Sequence, residues 1–150
     1  MEKTKAKGRV LLLIVGILLL IGSALGLFTS VSMLGFVFYG AMASVFVIMG
    51  VITSVVQLIA SIVAINKRNS LDENDIKKCQ KWGVTLLIVD VIYIFIDFLI
   101  SFSVSSVAGL LLPILYLVGV HLNKTTKKDN DILESISKIN NTDNETQQEK

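Results

Sequence analysis

From Val10 to Asn66 the chain carries no Asp, Glu, Lys, Arg or His, an unbroken run of 57 uncharged residues. A soluble domain needs charge spread over its surface and cannot conceal so long a stretch. Two membrane crossings of about 20 residues each, joined by a short hairpin, use roughly that many. The charges that do occur are segregated. All 14 Lys and Arg fall in Lys3–Arg9, Lys67–Lys81 and Lys124–Lys150, and ten of the 12 acids lie in or beside those blocks. The hydrophobic fraction of 53% and a mean hydropathy of +0.70 agree with a membrane protein.

The pattern predicts an all-α fold, a bundle of four transmembrane helices over 10–28, 41–65, 83–102 and 107–122. Residues 1–9 form a basic arm, 66–81 a charged central loop and 123–150 a tail. The connections at 29–40 and 101–106 carry no charge, so the positive-inside rule sets both termini and the central loop in the cytoplasm. The net charge of +2 reports this orientation and is no sign of nucleic-acid binding, since no basic stripe alternates with aromatics. The arm and first apolar run also match a signal peptide, with Gly22, Ser23 and Ala24 as a cleavage site, but the chain beyond stays apolar, which favours a retained span.

Local signals refine the layout. Ser70 and Glu73 form a capping-box pattern, predicting a helix from near Leu71 that runs unbroken into the third span, with Trp82 at the inner interface. Pro113 predicts a kink in the fourth span. In the tail, Ile132, Leu133, Ile136 and Ile139 form an apolar stripe, predicting a short amphipathic helix over 132–139 and disorder from Asn140 onward. Two hairpins ending in the same pair, Asn66 with Lys67 and Asn123 with Lys124, hint at a duplication supported by those residues alone. The single Cys79 rules out an internal disulfide and a cysteine-based zinc site.

Small and polar residues mark the faces that pack, because apolar side chains gain little from one another in lipid. These are Gly16, Gly22, Ser23 and Gly26 in the first span. The second has Gly40, Ala43, Gly50, Ser54, Gln57, Ser61 and Ala64. In the fourth they are Ser105, Gly109, Pro113 and Tyr116. The third span adds Gly83, Tyr93 and Ser101, and the two acids Asp90 and Asp97.

Those acids are the candidate site. Seven residues apart, they share one helix face with Tyr93 between them. Asp90 lies about 3–4 Å and Asp97 about 7 Å from the middle of the span. An ionised Asp at such depth costs roughly 2.5–3.5 kcal/mol on insertion scales, and no span offers a Lys or Arg. Three readings stand: neutral carboxyls hydrogen-bonded to Gln57, Tyr93, Ser54, Ser101 or Tyr116; a proton or ion site; or pairing with a partner chain. The intramembrane polar candidates are therefore Asp90, Asp97, Tyr93 and Gln57. With one His, one Cys and no phosphate loop or ligand cluster, no catalytic, cofactor or metal site is expected.

Three stretches resemble small four-span membrane proteins of Gram-positive bacteria that have no settled activity: QLIASIVAINKRN at 57–69, KKCQKWG at 77–83, and LPILYLVG at 112–119 followed by Asn123 and Lys124. The resemblance covers roughly 50–124 and implies a plasma-membrane location. Asp90 and Asp97 are not part of it. The sequence thus predicts a non-enzymatic multi-pass membrane protein acting through partners, a membrane protein or a second copy. The alternative is a small ion- or proton-translocating protein.

Overall fold

A computed structural model describes residues 5–35, 40–101 and 109–148. Within them the chain is all helical: α1 Arg9–Ser32, α2 Ala41–Lys67, α3 Glu73–Ser101 and α4 Leu111–Gln148. Each helix packs on its neighbours in sequence, and α4 returns against α1 to close a four-membered ring. The first three helices are long and apolar enough to cross a membrane. Their outer faces are apolar, with Ile14, Leu18, Leu25, Phe28, Phe95 and Leu99 exposed. This chain turns grease outward and small or polar groups inward, as a bundle solvated by lipid must.

The α1–α2 seam is set by glycines. A methyl on Gly16 would fall 3.3 Å from the Ala64 Cβ, and one on Gly26 would fall 2.5 Å from the Ser54 Oγ. On Gly50 it would fall 2.8 Å from the Ser30 Oγ. In each of these three pairs the residue numbers add to 80, so one antiparallel register holds along the whole seam. Gly22 was expected on this face but has open space around it: at about 100° per residue it falls roughly 80° round the helix from the direction shared by Gly16, Gly26 and Ser30, and so lies exposed on the flank of α1. The other seams use the same device. Gly83 of α3 receives the Tyr116 ring, and Gly119 of α4 receives Leu12 of α1.

Leu12, Val15 and Leu19 of α1 are almost wholly buried in one apolar cluster with Ala60, Ala64, Leu86, Tyr116 and Val120. The first helix is therefore a full member of the bundle. A polar clamp fastens its start. Asn123, 2% exposed, accepts from the Gly8 backbone N–H at 2.8 Å and donates through Nδ2 to the Arg68 carbonyl at 3.0 Å. One turn on, the Thr126 Oγ1 accepts from the Lys7 N–H at 3.3 Å, and Lys7 pairs with Asp129. Arm, central loop and fourth helix thus meet at one end. Asn66, the residue matched to Asn123 by the hairpin ends, is exposed.

Several expectations change. The cap of α3 is Asp72, whose Oδ1 accepts from the Asn74 N–H at 2.8 Å, so the helix begins at Glu73 rather than near Leu71. Ser70 instead donates to Asp75 at 2.8 Å, which Lys67 also holds at 3.0 Å. The helix does run unbroken past Trp82 into the apolar stretch. α1 runs beyond the expected end at 28, to Ser32, and the Thr29 and Ser32 hydroxyls there bond back to carbonyls one turn earlier. Pro113 makes no kink. It stands third in α4, where its backbone nitrogen has no helical partner to lose.

The tail is the largest difference. In place of a short helix over 132–139 and disorder beyond, α4 continues through Gln148, 38 residues or about 57 Å. Ile132, Leu133, Ile136 and Ile139 are all exposed on it. The apolar segment at 107–122 supplies only its first turns, and 102–108 lie outside the described residues, as do 36–39 of the first hairpin.

Candidate intramembrane polar site

On α2, Thr53, Gln57 and Ser61 follow at four-residue intervals and so form one polar stripe. On α3, Asp90 faces that stripe. It is 6% exposed, and the Gln57 Nε2 donates to its Oδ1 at 3.5 Å, a long and therefore weak bond. One helical turn from Gln57, Thr53 is 8% exposed and its hydroxyl has no hydrogen-bond partner among the described residues. Tyr93 and Ile94 continue the α3 wall, and Gly109, just before α4, completes the rim.

These six residues line a half-open cavity of about 180 Å³. A buried water needs only about 10–15 Å³ of such space, together with two to four polar partners. The cavity therefore has room for several waters, with a carboxylate, an amide and an idle hydroxyl to hold them. It offers no basic side chain. A carboxylate here meets neutral dipoles only, with no counter-charge to offset the cost of burying it.

The four sequence candidates divide unevenly. Asp90, Gln57 and Tyr93 come together around the cavity, and Asp97 does not line it. Asp97 sits one turn beyond Tyr93, half-buried and close enough to act on its phenol. Seven residues on a helix bring two side chains to the same face but about 10 Å apart along the axis, too far for a small cavity to join. Of the other groups named as hydrogen-bonding neighbours, Ser54 is taken up by the Gly26 seam. Tyr116 is wholly buried beside the Cys79 thiol, away from Asp90 and Asp97. The Ser101 side chain lies outside the described residues.

Thr53 was missed. Its signal was present, since it stands four residues before Gln57 on the same face, but threonine is common in membrane helices and bonds its own backbone there. Only the structure shows that its hydroxyl is left unused. Among the described residues no cluster of three His, Cys, Asp or Glu is placed to hold a metal ion. Compared with protein-family models, curated proteins and solved structures, the chain matches none.

Proposed function

We propose that the chain is a four-span protein of the cell membrane, both termini cytoplasmic, that moves protons by loading and unloading the Asp90 carboxyl. One observation carries this reading: a buried acid faces a hydrated-sized cavity that holds an unpartnered hydroxyl and no basic counter-charge. Intramembrane acids of this kind are typical of proton relays. A proton suits the donor set better than a metal ion, which seeks about six or more oxygen ligands. The four-span topology draws support from the basic arm, the central loop and the start of α4, all at the end clamped by Asn123. The chemistry is non-enzymatic.

The test is proton flux in liposomes. Vesicles carrying the protein, loaded with a pH dye and given a potassium-diffusion potential, acidify faster than empty ones, and Asp90→Asn returns the rate to background. Wild-type flux equal to that of empty vesicles overturns the reading.

A second reading, an accessory protein acting through a membrane-protein partner or a second copy, is favoured by the exposed stripe of Ile132, Leu133, Ile136 and Ile139 on the extended α4. Apolar residues at helical spacing outside the lipid-facing zone are the pattern that docks a partner helix. Crosslinking in native membranes through a cysteine at Ser135 tests it, and a strictly monomeric species refutes it.

A further inference from the structure

We propose that the inner-end groove between α3 and α4 binds one anionic phospholipid, headgroup on lysines and one acyl chain along the apolar wall. Two adjoining hollows of about 480 and 570 Å³ are both lined by Gln80, His121 and Lys124, and so form one continuous groove. The upper half is walled by Val84, Ile114, Leu117 and Val118. The lower half is walled by Lys77, Lys124, Lys127 and Lys128. Val84 and Lys77 are seven residues apart, about 10 Å along the axis, with Trp82 between them at interface height. The change from apolar to basic therefore falls where a phospholipid changes from chain to headgroup.

Charge selects the headgroup. Four lysines face two acids, Glu73 and Asp131. Glu73 is already engaged by Lys77 at 2.6 Å and Lys127 at 3.4 Å. Lys124 and Lys128 make no ion pair among the described residues, and both are exposed. A phosphate seated between them meets two uncommitted ammonium groups, and the His121 imidazole stands at the same mouth. Basic pockets between membrane helices on the cytoplasmic side take acidic headgroups for this reason. A free phosphate would satisfy the lysines but leave the apolar wall uncovered, so the lipid is the better fit.

Native mass spectrometry of the full-length protein in mild detergent tests this, with phosphatidylglycerol and phosphatidylcholine of equal chain length as probes. The expected result is one retained phosphatidylglycerol per chain, in clear preference to phosphatidylcholine. At roughly fivefold per lysine, the double variant K124Q/K128Q weakens retention about 25-fold. The variant K124R/K128R keeps it, and so does Lys81→Gln, an exposed lysine off the groove. Val84→Trp, which fills the apolar half from its exposed position, also lowers retention. Equal binding of the two lipids, an unchanged K124Q/K128Q, or full displacement by glycerol phosphate each overturns the proposal.

Discussion

Replacing Asn123 with alanine removes both hydrogen bonds that tie the ends of the bundle together. The Gly8 N–H is buried and has no other partner among the described residues, and the Arg68 carbonyl loses its side-chain donor. The bond to the Arg68 carbonyl contributes about 0.5–1.5 kcal/mol net, and stranding the buried Gly8 N–H costs about 1–3 kcal/mol. We expect a loss of about 2–4 kcal/mol for Asn123→Ala. Asn66→Ala, the matched position at the end of the first hairpin, lies exposed and should stay within about 0.5 kcal/mol of wild type. Asn123→Asp keeps an acceptor for Gly8 but sets an oxygen against the Arg68 carbonyl, and should fall between the two. The assay is denaturant unfolding of the purified protein in mild detergent, followed by circular dichroism and extrapolated linearly. A change below about 0.5 kcal/mol for Asn123→Ala refutes the clamp.

Further expectations concern the seams, the site and the ends. Gly16→Ala forces a methyl to 2.8 Å from the Ile65 Cγ1 and should cost about 1–3 kcal/mol, whereas Gly22→Ala has open space and should be neutral or slightly stabilising in the same unfolding assay. Asp97→Asn, outside the cavity, should leave proton flux within about twofold of wild type, while Asp90→Asn abolishes it; a larger effect at Asp97 contradicts the division of the two acids. With Cys79 replaced, single cysteines at Lys5 and Ser137 should react with impermeant reagent only from the cytoplasmic side, and one at Gly35 only from outside. Before α3 enters the membrane, Lys77 and Lys127 hold the Glu73 carboxyl below its usual range, and Ser70 and Lys67 do the same for Asp75. Because both values are depressed on folding, their contribution is present above the ordinary carboxylate range and is lost as pH falls through the lowered values. Melting in detergent should therefore weaken below about pH 4, and less so in Glu73→Gln.

The helices were legible because one property, the absence of charge over long runs, decides where a chain can sit in lipid. Gly16, Gly26, Gly50 and Gly83 were also legible as packing positions, since only small residues let backbones approach. Which glycines of α1 sit at the centre of the seam was not, because Gly22 is only about 40° round from Gly26, and that small rotation carries it off the contact. The tail was misread for a related reason. Its 28 residues, all but four of them polar, carry no intrinsic helix signal strong enough to stand alone, yet as far as Gln148 they extend a helix whose nucleation has already been accomplished by the apolar turns before it. At the site, Gln57 was legible as one of a few polar groups able to meet the acids, but that it meets Asp90 comes from the structure. The separation of Asp97 and the idle Thr53 hydroxyl depend on helix rotation by a few tens of degrees, which periodicity does not resolve.

The central claim is that the Asp90 carboxyl exchanges a proton inside the bundle. Infrared difference spectroscopy on protein with ¹³C-labelled aspartate, reconstituted in lipid and cycled in pH, reads that carboxyl directly once the Asp90→Asn spectrum is subtracted. The account predicts a protonated carboxyl band that gains and loses intensity with pH in wild type and is missing in Asp90→Asn. A band of constant intensity across the pH range over which the protein stays folded contradicts it, and returns Asp90 to a fixed hydrogen-bonding role against Gln57.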